Sequence, residues 1–169
     1  TRAGRAVRNN PAVLGGLAPQ RLLAVGESQS ASRLVTYIDA VHPLVHVYDG
    51  FLIVSRGLDG DALSQAPQAD IAAPSPTLFR EDLDVPVLVL TSETDIAGGL
   101  SYAGARQPDT DRFRGWEVAG TAHYDAYGLV VGPTDDGSGA VDIALFDTLS
   151  DPPSAIYGNI ISCDRPFNA

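Results

Sequence analysis

The 169-residue chain predicts an α/β fold whose core is a mostly parallel sheet. Short continuous apolar runs are typical of strands in a parallel sheet, and here they alternate with helical or loop-like stretches. A side chain able to do chemistry follows three of the four predicted strands. In parallel sheets, binding and catalytic sites collect at those carboxyl ends. Apolar residues make up 44% of the chain, so it can bury a hydrophobic core.

The first part of the chain predicts one strand followed by one long helix. A polar lead-in starts a short helix at Asn10-Pro11. Residues 21–25 carry a continuous apolar run, which predicts a strand buried on both faces. Residues 29–41 have apolar side chains at helical spacing, and we expect this helix to end before Pro43 because the residue preceding a proline avoids the helical conformation.

The remaining elements are less regular. Residues 45–54 are rich in Val, Ile, Tyr and Phe and predict a second strand, interrupted at Asp49-Gly50. Residues 56–83 are rich in Gly, Ala and Pro and lack periodicity, which indicates a long loop or part of a cap segment. The other predicted elements are two strands, at residues 84–90 and 113–119, and two short helices, at residues 97–107 and 140–149.

Composition excludes several classes of function. The formal net charge is −10, which argues against nucleic acid or an anionic membrane surface as a partner. No apolar run approaches the roughly 20 residues that a membrane-spanning helix needs. The single cysteine, Cys163, excludes an internal disulfide and any zinc site built from cysteines.

The segment between the first strand and its helix carries the most informative motif. Gly26-Glu27-Ser28-Gln29-Ser30 places a serine on a sharp turn from strand to helix, which is the construction of a nucleophile elbow. Small residues are needed there because the chain segments crowd. Gly26 fits that need, whereas Ser30 stands where a second glycine is usual. As an alternative, Ser28 is an ordinary helix N-cap.

An acid and a histidine follow Ser28 after later predicted strands. A serine hydroxyl becomes a good nucleophile when a base takes its proton, and a carboxylate then orients the imidazole. His123 lies in a loop of small residues after the fourth strand and is the preferred base. Asp95 is the preferred acid, and Glu93, two residues earlier, is the alternative.

Three other groups have structural explanations that suffice. We interpret His42 as a cation near a helix C-terminus and His46 as a structural histidine beside a strand. We interpret Asp125 as a surface or capping residue. The acidic, glycine-rich run at residues 135–139 lacks EF-hand spacing and predicts an exposed turn.

These motifs together resemble the α/β-hydrolase superfamily, and more narrowly a bacterial branch called "alpha/beta hydrolase domain-containing" proteins. The resemblance covers roughly residues 20–130, as the later half of that fold. Four segments carry it, Gly-Glu-Ser-Gln-Ser-Ala at 26–31, Tyr-Asp-Gly-Phe-Leu at 48–52, Thr-Ser-Glu-Thr-Asp at 91–95 and Trp-Glu-Val-Ala-Gly-Thr-Ala-His at 116–123. The segment Cys-Asp-Arg-Pro-Phe-Asn at 163–168 is also similar to one that precedes the last helix in that branch. By resemblance, Ser28 is the nucleophile, His123 the base and Asp95 the acid.

The resemblance also implies an activity and a domain organisation. It implies a serine hydrolase that cleaves a small-molecule carboxylic ester and needs no cofactor and no metal. An acyltransferase or thioesterase with the same triad is the alternative, as is a non-catalytic binding module. Residues 1–169 would form a partial domain. The Gln29 amide would give one oxyanion donor, and a companion chain or an N-terminal segment would give the second.

Overall fold

In the part of the chain that the structure describes, four strands form a parallel sheet, which confirms the predicted fold class. The computed structural model describes residues 1–64, 66–69 and 71–124. The strands are β1 (Leu23–Glu27), β2 (Gly50–Val54), β3 (Val87–Ser92) and β4 (Phe113–Val118), and they lie in that order across the sheet. Because all neighbours pair in parallel, their carboxyl ends share one edge.

Three of the strands begin later than predicted. Before β1 and β2, the Leu22 amide donates to the Asp49 carboxylate at 2.6 Å and the Asp49 amide donates to the Leu22 carbonyl at 2.8 Å. These bonds fix the chain just ahead of both strands. The third strand starts directly after Pro86, which has no N–H to donate to a ladder.

Helix α1 (Arg2–Asn9) is an element that the sequence analysis did not predict. Its last turn is tied to the segment before β2, because the Arg8 guanidinium donates to the Val47 carbonyl at 2.7 Å and to Asp49 at 2.6 Å. The short helix predicted at Asn10-Pro11 is a single 3₁₀ segment, Pro11–Leu14.

The long helix after β1 does not end before Pro43, so that prediction was wrong. Helix α2 (Gln29–Thr36) continues through a π-helical turn (Tyr37–Val41) into α3 (His42–Val45). Proline lacks the N–H that would bind the carbonyl four residues earlier. That carbonyl, on Asp39, instead accepts from Arg80 Nη1 at 3.2 Å.

The hydrophobic core lies on one face of β1, not on both. Ala31, Val35 and Ile38 from the helix face the sheet and are fully buried. On the opposite face, Leu23 and Val25 are 60% and 63% exposed among the described residues. The expectation that β1 is buried on both faces was therefore wrong for the described part of the chain.

The loops agree in part with prediction. The described part of residues 56–83 contains no helix and no strand. Within the region predicted as a short helix at 97–107, the structure has only a 3₁₀ turn, Tyr102–Ala105, while α4 (Glu93–Ala97) begins earlier.

None of the helices within residues 1–124 combines the length and apolar character that crossing a bilayer requires. The predictions for Asp125, residues 135–139, residues 140–149 and Cys163 lie outside the described residues.

Candidate active site

Ser28 lies at the carboxyl edge of the sheet, on the turn between β1 and α2. Its backbone has φ 54° and ψ −120°, a conformation that non-glycine residues rarely adopt and that concentrates at functional sites. Two hydrogen bonds hold it. The Ser28 amide donates to the Val54 carbonyl at 3.0 Å, and the Ser28 carbonyl accepts from the Ser32 amide at 3.1 Å.

The turn depends on a glycine two residues before Ser28. A Cβ added to Gly26 would lie 2.7 Å from the Ser30 carbonyl oxygen and 2.8 Å from a Leu34 methyl carbon. Contacts this short require the backbone of α2 to shift. The crowding expected at the elbow therefore exists at Gly26, between β1 and the first turns of α2.

Asp95 lies in the first turn of α4, directly after β3, and it is fully buried. A capping box fixes it: the Ser92 side chain accepts from the Asp95 amide at 3.3 Å, and Asp95 Oδ2 accepts from the Ser92 amide at 2.7 Å. The second carboxylate oxygen, Oδ1, is thereby left to face the loop after β4.

His123 connects the acid to the serine. Its Nδ1 lies 2.6 Å from Asp95 Oδ1 and its Nε2 lies 2.9 Å from Ser28 Oγ. In the neutral imidazole this corresponds to Nδ1–H donating to the carboxylate and the serine hydroxyl donating to Nε2. The side chain of His123 is 35% exposed, so the serine end of this chain of hydrogen bonds is open to small molecules.

Glu93, the alternative acid, does not contact the imidazole in this arrangement. Its Oε2 accepts from the Gly120 amide at 2.7 Å. The neighbouring Thr94 hydroxyl accepts from the His123 amide at 2.7 Å. Residues 93–95 therefore bind the loop that carries His123 at three successive points.

Thr94 and Ser92 are the site residues that the sequence analysis missed. A signal existed for Ser92, because Ser92-Glu-Thr-Asp95 fits the [Ser/Thr]-x-x-[Asp/Glu] pattern of a capping box. For Thr94 no local pattern exists, since its partner is the amide of His123, 29 residues away. The contact arises only when β3 and β4 pair.

Of the other predicted residues, Gln29 lies beside Ser28, whereas His42 and His46 lie at the opposite ends of the strands. Gln29 is the first residue of α2, where a backbone amide has no acceptor within its own helix, and it directly follows Ser28. The second oxyanion donor stays a prediction. His42 lies in the last turn of the helical stretch that ends at Val45, near a helix C-terminus as predicted. Both His42 and His46 contact Asp84 at the amino ends of the strands.

A separate cleft of about 450 Å³ lies between the end of α2 with the π-helical turn after it and the loop that follows β2. Its lining includes Thr36, Asp39, Ile71 and Leu78 but neither the serine, the acid nor the histidine described above. Burial raises the pKa of Asp39 above its ordinary value, against the lowering effects of the Arg80 amide and of Arg56. This cleft is therefore separate from the arrangement of Ser28, His123 and Asp95.

Comparison with known proteins gives a family. Searches of the curated proteins and of the solved structures find no match. The family model described as "Alpha/beta hydrolase domain" matches residues 1–169. Since that match covers the chain from first residue to last, and the parallel sheet agrees with it, the protein belongs to the alpha/beta hydrolase domain family.

Proposed function

We propose that this chain is a serine hydrolase that cleaves a small-molecule carboxylic ester through an acyl-enzyme intermediate. The observation that carries the proposal is the continuous hydrogen-bonded path from Asp95 Oδ1 through the His123 ring to Ser28 Oγ, with contacts of 2.6 Å and 2.9 Å. Nucleophile, base and orienting acid are recognised by this geometry and these roles.

In the acylation step, the Ser28 hydroxyl proton moves to His123 Nε2 while Oγ attacks the ester carbonyl carbon. The carbonyl oxygen becomes an oxyanion, towards which the Gln29 amide donates. His123 then gives its proton to the leaving alcohol oxygen as the carbon–oxygen bond breaks. The acyl group remains on Ser28 Oγ.

Deacylation repeats the same steps with water. His123 takes a proton from a water molecule whose oxygen attacks the acyl carbon, and it returns that proton to Ser28 Oγ as the carboxylic acid leaves. Throughout, Asp95 stabilises the imidazolium form of His123. Its carboxylate is 0% exposed, so water does not compete for that interaction. No cofactor or metal takes part in these steps.

The decisive experiment replaces the nucleophile. Ser28→Ala assayed with a short p-nitrophenyl ester should lower turnover by a factor on the order of 10⁴ or more, because the acyl-enzyme can no longer form. Ser30→Ala is the matched control, since Ser30 is exposed on the same helix, and it should keep wild-type turnover. Equal turnover in wild type and Ser28→Ala would refute the proposal.

Two further measurements separate the alternative activities. A fluorophosphonate probe should label the wild-type chain at Ser28, whereas a non-catalytic binding module would fold normally and stay unlabelled. Product analysis with a competing alcohol or thiol identifies the acyl acceptor. A hydrolase gives the free acid even when the acceptor is present, while an acyltransferase gives the new ester or thioester.

A further inference from the structure

A second cluster of chemically active side chains lies at the opposite end of the sheet from Ser28. It consists of His42, His46 and Asp84, and one potential ligand atom from each lies within 4.8 Å of the others. His42 Nε2 is 3.1 Å from Asp84 Oδ1, and His46 Nδ1 is 2.7 Å from Asp84 Oδ2. Asp84 precedes β3 and α3 precedes β2, so this cluster lies at the amino ends of the strands.

We propose that this cluster, the His42–His46–Asp84 cluster, binds a divalent transition-metal ion of the zinc type. Two imidazole nitrogens and one carboxylate oxygen form a donor set that suits zinc better than calcium or magnesium, which prefer oxygen ligands throughout. The proposal is independent of the ester hydrolysis proposed above.

The three donors lie close enough to reach one tetrahedral ion after local adjustment, because one ligand atom from each lies within 4.8 Å of the others. Zinc binds histidine nitrogen and carboxylate oxygen at about 2.0–2.2 Å, which places neighbouring ligand atoms roughly 3.3–3.5 Å apart. The contacts of 3.1 Å and 2.7 Å involve different oxygens of Asp84, so ion binding would gather both nitrogens around one oxygen or use the carboxylate as a bidentate ligand. The side chains of His46 and Asp84 are 59% and 49% exposed, so water can reach the fourth coordination position.

The backbone holds the two histidines one helical turn apart. The His46 amide donates to the His42 carbonyl at 2.9 Å, an i to i+4 relation that places both side chains on one face, as in helical metal motifs. His46 has φ 43° and ψ 51°, the left-handed conformation in which many helices end. It closes α3 and leaves the His46 ring in contact with Asp84.

The surroundings of His42 set the expected affinity. Its ring is buried edge-on against Phe51, with ring centroids 5.0 Å apart. Its Nδ1 has no hydrogen-bond partner among residues 1–124 as described. A carbonyl or carboxylate at that nitrogen commonly strengthens metal binding about 10- to 100-fold, so we expect this site to bind zinc more weakly than a site with such a partner by about that factor.

Without metal, the same three groups form a hydrogen-bonded cluster in which each imidazole donates one N–H to Asp84. Metal binding replaces those donated protons with coordination bonds. The bound ion would connect α3 to the segment before β3, two parts of the chain about 40 residues apart.

The test is zinc titration of the chelator-treated 169-residue chain, followed by calorimetry and by cobalt substitution. We expect one zinc ion per chain and visible d–d bands of tetrahedral cobalt. His46→Asn and Asp84→Asn should each weaken zinc binding at least about tenfold. Both positions are largely exposed, so these variants should fold. If a fluorophosphonate labels Ser28 in the wild type, labelling of the variants checks their folding. If it does not, thermal unfolding checks it.

Asp82→Asn is the matched control. Asp82 lies two residues from Asp84, is 71% exposed and pairs with Arg80, so its loss removes the same charge without removing a ligand. Zinc affinity should stay at the wild-type value in this variant. The proposal is overturned if the wild type binds no zinc at micromolar to submillimolar concentrations, or if His46→Asn and Asp84→Asn bind it as tightly as Asp82→Asn does.

Discussion

The two ends of the sheet each hold an aspartate against a histidine Nδ1 at nearly the same distance. At the carboxyl end, His123 Nδ1 lies 2.6 Å from Asp95, and at the amino end, His46 Nδ1 lies 2.7 Å from Asp84. The surroundings differ. Asp95 is 0% exposed and is fixed by the Ser92 amide, whereas Asp84 is 49% exposed and meets two imidazoles.

This difference shows that a histidine–aspartate contact does not by itself determine chemistry. The other nitrogen of His123 faces a serine hydroxyl on a strained turn, so a proton has a route from Ser28 towards the imidazole. Asp84 divides its two oxygens between two rings. Under the two proposals, one pair serves proton transfer and the other holds a cation among three donors.

The largest effect should come from changing the buried acid at the carboxyl end. Asp95→Asn should lower ester turnover roughly 10³- to 10⁴-fold. The neutral side-chain amide of asparagine cannot stabilise the imidazolium form of His123, and it favours the wrong tautomer of the neutral ring. Glu93→Gln should cost about tenfold or less, since a glutamine oxygen can still accept from the Gly120 amide. Both are measured as kcat with a p-nitrophenyl ester.

Asp82→Asn controls for the loss of one negative charge, because its side chain is exposed and remote from the carboxyl ends. Its turnover should match the wild type. A larger loss of kcat in Glu93→Gln than in Asp95→Asn would reverse the assignment of the acid and remove one side of the comparison.

A smaller effect should follow when the support of His123 is weakened. Thr94→Val removes the hydroxyl that accepts from the His123 amide at 2.7 Å. A half-buried amide left without an acceptor costs about 1–3 kcal/mol, and the loosened loop should lower kcat roughly tenfold. KM should change little, because Thr94 acts through the position of His123.

Thr121→Val is the matched control in the same loop. Its hydroxyl donates to the Val118 carbonyl at 2.6 Å in an exposed position, so its loss should leave kcat within about twofold of the wild type. If Thr121→Val lowers kcat as much as Thr94→Val does, the support of His123 is a general property of the loop and not of Thr94.

How far the sequence predicted this molecule depends on how local each feature is. The elbow at Ser28 is local, because strand, glycine, serine and helix follow one another within a few residues. The parallel sheet was predicted from short apolar runs, and the order of serine, acid and histidine from the residues that follow those runs. The π-helical turn before Pro43 was not predicted, since it depends on Arg80, 41 residues away, binding the Asp39 carbonyl.

The two histidine–aspartate contacts illustrate the same limit. Asp95 and His123 could be paired in advance because the chemistry of a triad requires an acid after one strand and a base after another. His42, His46 and Asp84 had no such requirement. Each histidine had a sufficient structural explanation on its own, and Asp84 was placed only at the start of a predicted strand. Their proximity appears only when α3 packs beside the segment that leads into β3.

The smallest effect should be a pH-dependent change in the free energy of unfolding, caused by Asp84 at the amino ends of the strands. Burial raises the pKa of Asp84, but the charge of His42 and the hydrogen bonds from both imidazoles outweigh it and leave that pKa below its ordinary value. A lowered pKa means that the ionised carboxylate stabilises the folded state above the unfolded aspartate pKa, about 3.9. That contribution is lost as the pH falls through the folded-state value.

Metal-free Asp84→Asn should therefore be less stable than the wild type near pH 5, where the Asp84 carboxylate is ionised, by at most about 1 kcal/mol because the half-exposed pair is screened by solvent. The difference in free energy of unfolding should shrink as the pH falls from about 3.9 through the lower folded-state pKa of Asp84, since the wild type then becomes neutral at this position too. Denaturant unfolding at several pH values measures it, with Asp82→Asn as the reference. A constant difference between Asp84→Asn and wild type across this range would mean that Asp84 acts through packing and not through its charge.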